Sequence, residues 1–254
     1  MTDQPPRLRS AFQFRAIEQH RSELEKLWHH DPELTRRGER LATLRCAEAY
    51  LIWLGLPEEP KAIKQALERR EKGRNWEQRV PGLDRVLGAL DRVAAAVAQR
   101  LGLSAALLRT VHGLMDAAGS GTLSAYREQE LPPEFPEHQP LPPERVPGAI
   151  ERSIDWFQSQ GIRELHALER AALVTARLSS ISPFECANLP AATLMASYCL
   201  MESGFFVPAF YPRERTQLLR ALQAGETLHT QPLVDLHVEL QLAAMEALRE
   251  VCGP

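Results

Sequence analysis

Paired cysteines are missing from this sequence. Its four (Cys46, Cys186, Cys199 and Cys252) are widely spaced, with no C-x-x-C pair. That argues against a disulfide framework or a cysteine zinc site and points to a reduced, cytoplasmic setting. Long apolar runs are missing too: none approaches the roughly 18 residues a membrane span needs. The opening MTDQPPRLRSAFQF has no apolar segment of the kind a signal peptide carries. Charge of one sign is not in excess. The net charge is −3 and the pI about 6.3, so nothing draws the chain to nucleic acid or to an anionic membrane. Eight histidines include the doublet His29–His30, but no H-E-x-x-H or similar ligand spacing appears, and no metal site is expected. Aromatics make up only 6% of residues. Alternating strand patterns are nearly absent as well.

Ala and Leu are plentiful instead, and their spacing is helical. Residues 13–30 and 34–53 read as two helices, the second with Leu41, Leu44, Ala47 and Leu51 on one face. GLPEEP (55–60) stops that helix, and another covers 61–72. Residues 83–101 are strongly amphipathic, and Ser104 caps a helix over 105–117. Residues 117–148 then carry seven prolines, too many for a helix. A short hairpin around 122–131 followed by an extended arm is the expectation. The arm is either a plain connection or a binding loop. Helices resume at 147–159, 164–180, 188–203, 213–224 and 231–251, with Gly204 closing the 188–203 helix as its C′ residue. The fold class is mainly α: residues 1–80 form an N-terminal helical extension and 81–254 the main domain.

The stretch ISPFECANLPAAT (181–193) has the outline of a phosphate-binding loop opening a helix. A helix N-terminus offers unpaired N–H groups and a positive dipole end to an anion. Such loops favour glycine, which permits positive φ and close approach, yet this one has none. Asn188 suits an N-cap. Pro190 fits a first turn but removes one N–H. Phe184 is expected to be buried beneath the new helix, and the Ser182 hydroxyl to be exposed.

This loop resembles the signature of Fic domains, H-x-F-x-[D/E]-G-N-G-R-x-x-R. Upstream, LPPERVPGAIERSIDWFQSQGIRELHALERAALVTARLSSI is similar to the two helices before that motif, with its Pro-Pro-Glu entry, Trp156 and Ala-Ala-Leu run. Downstream, LMASYCLMESGFF and the segment from YPRERTQ onward resemble the helix after the motif and the family tail. GTLSAYRE resembles the strand segment of the Fic flap. The resemblance spans roughly 100–250 and implies a Fic-like helical core with a short β-hairpin flap.

The departures carry the functional reading. The resemblance implies that the motif histidine is the general base for AMP transfer to a protein hydroxyl, and Ser182 stands in its place. A serine hydroxyl cannot take that proton near neutral pH. The metal-binding acid maps to Cys186, a poor partner for Mg²⁺. The glycines map to Ala187 and Leu189, and the phosphate-holding arginines to Pro190 and Thr193. Only Phe184 and Asn188 remain. Glu48, in LRCAEA, is the counterpart of the family's inhibitory glutamate, although it has no motif arginine to pair with. Arg127 of the flap is the obvious cation left for a phosphate, with Asn188 beside it as a further nucleotide contact. Cys186 reads either as a buried, inert thiol or as one activated by a helix N-terminus.

The expectation is a Fic-fold pseudoenzyme that needs no cofactor and works by binding a protein partner or its own copy. Two alternatives stay open. One is a divergent nucleotidyl or phosphoryl transferase with Cys186 or Glu185 in a new role. The other is a nucleotide-binding sensor. Only these would involve ATP with Mg²⁺.

Overall fold

The computed structural model describes residues 6–29, 31–56, 59–75, 80–116 and 123–252, excepting the side chains of 6–11, 27–29 and 251–252. Among the described residues stand eleven α-helices: α1 (Pro6–His29), α2 (Pro32–Trp53), α3 (Pro60–Glu71), α4 (Leu83–Ala98), α5 (Ala105–Met115), α6 (Val146–Phe157), α7 (Gln160–Arg163), α8 (Ala167–Ile181), α9 (Asn188–Glu202), α10 (Pro212–Glu226) and α11 (Gln231–Cys252). Their starts follow local chemistry. Prolines open α2, α3 and α10 at the first turn, where a missing N–H costs nothing. Asp31 caps α2 by accepting from the amides of Glu33 and Leu34. Ser104 caps α5 as its position suggests, accepting from Leu107 N. His166 and Glu169 form a reciprocal capping box at α8.

The helix α9 is the axis of the molecule. Every residue from Asn188 to Leu200 is buried, the mark of a helix enclosed on all sides. It packs against α8, α4 and α5, while α8 also meets α6, α10 and α11. The remaining helices form an outer layer: α2 lies against α4 and α11, α1 against α11 and α2, and α3 against α2. Ile17 of α1, Tyr50 of α2 and Leu194 of α9 belong to one apolar cluster, so residues 1–80 and 81–254 share a core. A second cluster gathers Phe135, Leu189, Phe210, Leu218 and Leu233.

The expected β-hairpin is not present: among the described residues there is no β-strand, and 123–130 run as extended coil. Residues 117–122, which hold the start of that expected hairpin, lie outside the described ones. The reason is visible in the hydrogen bonds. Besides short turns of its own, the arm pairs with the end of α8 and the loop after it, and no strand ladder forms within it. His138 Nε2 donates to Ser180 O (3.3 Å), since its Nδ1 already accepts from Glu134 N (3.1 Å). Arg127 N donates to Pro183 O at 3.0 Å. The arm thus covers the C-terminal carbonyls of α8, which a helix leaves unpaired.

Candidate functional site

The six residues from Ser182 to Ala187 join α8 to α9, and two of them adopt left-handed backbone. Ser182 has φ 46° and ψ 68°, and Ala187 has φ 51° and ψ 27°. Neither is glycine, so each carries the steric cost of Cβ in that region. The loop therefore keeps a glycine-type backbone at Ala187 without the glycine.

Ser182 is 1% exposed, not exposed as the sequence reading had it. Its hydroxyl donates to Ser179 O at 2.8 Å, closing the last turn of α8 on itself. Phe184 is buried as expected. Its ring stacks on His112 of α5, centroids 3.7 Å apart, with Tyr126 of the arm tilted against it at 5.9 Å. His112 is held from both sides. Its Nε2 meets the Cys186 carbonyl at 2.9 Å, which requires a proton there, and its Nδ1 then accepts from the Ser124 hydroxyl at 2.8 Å. Burial lowers the His112 pKa, keeping the ring neutral.

Asn188 is not the N-cap. Ala187 occupies that position with no side-chain cap, because the left-handed turn there has already swung Asn188 into the helix. The Asn188 amide turns back instead and clamps Phe184: Oδ1 accepts from Phe184 N and Nδ2 donates to Phe184 O, both at 2.8 Å. Both amide groups are thereby committed to the loop.

Three further positions, Leu189, Pro190 and Thr193, face inward. Leu189 joins the second apolar cluster, and Pro190 is buried in the first turn of α9. Thr193 is wholly buried, and its hydroxyl donates to the carbonyls of Leu189 (3.1 Å) and Pro190 (3.0 Å). Tyr50 of α2 then supplies the proton for the 2.9 Å contact between its hydroxyl and Thr193 Oγ1. Burial raises the Tyr50 pKa well above its ordinary value, so the phenol stays protonated.

Arg127 does not stand ready for a phosphate. It is 3% exposed, and its guanidinium is spent on carbonyls. Nε donates to Ser182 O at 2.7 Å, Nη1 to Gln129 O at 2.8 Å, and Nη2 to Leu141 O and to Ile181 O. The physical reason is the negative end of α8, where a cation meets orphan carbonyls and the helix dipole together. Glu48 points away from the motif helix. It accepts from the Tyr211 hydroxyl at 2.8 Å, and the residue of α2 that reaches α9 is Tyr50. No side-chain signal singled out Tyr50. Its place four residues after the buried Cys46, on the apolar face of α2, was the available hint.

Only Glu185 and Cys186 reach the surface. Cys186 is thus exposed, against the buried reading. Glu185 Oε1 accepts from Glu128 N at 3.3 Å. Cys186 Sγ lies 3.7 Å from Asp116 Oδ1 at the end of α5. Desolvation, Asp116 and Glu185 all push the Cys186 thiol up from its ordinary value, the opposite of an activated thiolate. Among the described residues, no three His, Cys, Asp or Glu side chains gather as a metal site.

No family model matches the sequence, and no curated protein matches it either. Solved structures do. A Fic domain containing signaling protein from Bacteroides thetaiotaomicron superposes with a TM-score of 0.77 at 17% identity, over 93% of this chain and 97% of that one. Fic-1 from C. elegans gives 0.71 at 18% identity, over 95% of this chain and 73% of that one. A Fic family protein from Desulfovibrio desulfuricans gives 0.67 at 15%, over 98% and 75%. The turn between α8 and α9 is the segment the motif resemblance picked out, and the chain around it has the Fic fold.

Proposed function

We propose that this chain is a Fic-fold pseudoenzyme, built as an N-terminal helical extension (1–80) on a Fic-like domain (81–254), that acts by binding a protein partner or a second copy of itself. One observation carries the reading: Ser182, Leu189, Pro190 and Thr193 are turned into the protein, and Cys186, at the metal-acid position, is exposed but offers a protonated thiol in place of a carboxylate. Ser182 and Thr193 give their hydroxyl protons to carbonyls of their own helices. Leu189 and Pro190 fill space where a nucleotide cradle would need open backbone and cations. Arg127 is a strut for α8. A base, a phosphate grip and a glycine-lined approach are each replaced by packing or a local hydrogen bond. Loss of general-base catalysis alone is worth about 10²–10⁴-fold, and unheld phosphates forfeit positioning as well.

The test is incubation with ATP labelled on its α-phosphate and Mg²⁺, beside calorimetric titration with ATP and ADP. No label on the chain and no binding heat are expected. Label that disappears in Cys186→Ala would overturn the reading in favour of a divergent transferase. Tight nucleotide binding without transfer would favour a sensor.

A further inference from the structure

A cavity of about 370 Å³ lies between α2, α4 and the chain that follows α9. Its walls are apolar: Cys46 from α2, Leu87 and Leu90 from α4, then Met201, Phe206 and Val207. Met201 stands eight residues after Thr193 in α9, so at 1.5 Å per residue the cavity is about 12 Å from the near end of the Ser182–Thr193 stretch. It is a separate place on the molecule. The cavity opens to solvent, and its volume lies at the lower end of the roughly 300–1,000 Å³ of pockets that hold small molecules.

Charge is confined to one side, where Glu39 of α2, Arg70 of α3 and Asp91 of α4 line the cavity. Arg70 forms an ion pair with Asp91. The Glu39 carboxylate is exposed and makes no hydrogen bond or ion pair among the described residues. Glu39 is thus the unpaired carboxylate at this mouth, which adjoins a groove that Glu39 and Arg70 share with Arg36, Arg40 and Lys72.

We infer that this cavity binds a small organic amine with an apolar or aromatic body. The body lies against Met201, Phe206 and Leu90, where a thioether and a ring adapt to ligand shape. The ammonium stays at the wet mouth beside Glu39, so neither charge is buried unpaired. A carboxylate head on the same body would stand against the unpaired Glu39 carboxylate and be repelled.

Calorimetric titration of the full chain with three ligands of one body tests this: 4-phenylbutylamine, 4-phenylbutanol and 4-phenylbutyrate. The amine should bind a few-fold more tightly than the alcohol, the size expected of a partly exposed ion pair, and the acid should bind least. Glu39→Gln should bring the amine down to the alcohol and leave the alcohol unchanged. Ala94→Phe, which fills the cavity wall, should weaken all three at least tenfold. Leu90→Trp does the same job if Ala94→Phe does not fold. The inference is overturned if no ligand gives binding heat, if the acid matches the amine, if Glu39→Gln leaves the amine's advantage intact, or if filling the cavity changes nothing. None of these outcomes bears on nucleotide binding at the motif loop, so the two readings stand or fall separately.

Discussion

The hydroxyl of Tyr50 donates to Thr193 Oγ1 across 2.9 Å, tying α2 to the middle of α9 over a separation of 143 residues. Both side chains are wholly buried. On the motif resemblance Thr193 stands at the second arginine of the Fic signature, and on the proposed reading this bond takes the place of a phosphate-holding cation.

Thr193→Val should therefore cost about 1–3 kcal/mol, because it strands a buried phenol donor. Tyr50→Phe should cost nearer 1 kcal/mol, since Thr193 keeps its own acceptors. The double variant should cost less than the sum, and denaturant unfolding of the four proteins gives the coupling. Restoring the arginine is the sharper case. Thr193→Arg forces an unpaired guanidinium into a closed core and should cost more than about 3 kcal/mol. A Thr193→Arg protein that melts like the wild type would mean that this end of α9 opens as a cleft.

Asn188 and Phe184 form the second closed unit. Asn188→Ala removes both the acceptor for Phe184 N and the donor to Phe184 O, groups with no water to turn to. The expected loss is about 2–4 kcal/mol, well above the 1 kcal/mol or so of an ordinary cap. Phe184→Ala should lose about 3–5 kcal/mol through burial and a cavity against His112. Thermal melts rank the two. An Asn188→Ala loss near 1 kcal/mol would show that the clamp is no more than a cap.

Ala187 and Ser182 hold the strain of the loop. Ala187→Gly relieves a left-handed alanine and should raise stability by about 1 kcal/mol, partly offset by the freer unfolded chain. Ser182→Ala should lower it by about 1 kcal/mol with its buried hydrogen bond. Melts of the pair should thus move in opposite directions. If Ala187→Gly destabilises, the left-handed turn at that residue is not under steric strain.

The helices were legible because their signals are local. Ser104 and Gly204 sit where capping chemistry puts them, and the unbroken apolar run after Asn188 could only be a central helix. What was not legible depends on partners far along the chain. Arg127 reads as a free cation until the end of α8, some fifty-five residues on, presents it with carbonyls. Tyr50 is one more apolar residue of α2 until Thr193 faces it. Asn188 looks like a cap by composition, but the positive φ of Ala187 moves the helix start back by one residue. The arm looked like a hairpin because its sequence gives no warning that α8 would use its hydrogen-bonding groups. The resemblance falls on the turn between α8 and α9, while the burial of Ser182, Leu189, Pro190 and Thr193 required the structure.

His237 of α11 supplies one part of the pH dependence. Its side chain is wholly buried, with the Phe210 ring edge-on at 6.1 Å, and neither ring nitrogen has a hydrogen-bond partner among the described residues. Burial pulls its pKa down to about 4, against about 6.5 for the unfolded chain. The folded protein thus keeps the ring neutral while the unfolded chain takes up a proton. This group's full contribution to stability is present above pH 6.5 and is lost as pH falls toward 4. At pH 4.5 the loss should be about 2–3 kcal/mol relative to pH 7.5, from the 1.36 kcal/mol that each pKa unit represents. His237→Leu removes the titrating group and two unpaired nitrogens, so it should be more stable at pH 7.5 and should lack this part of the acid slope. Urea unfolding of both proteins at the two pH values measures the difference. Parallel losses in wild type and His237→Leu would mean that His237 finds a proton partner inside the fold, and that acid sensitivity arises elsewhere.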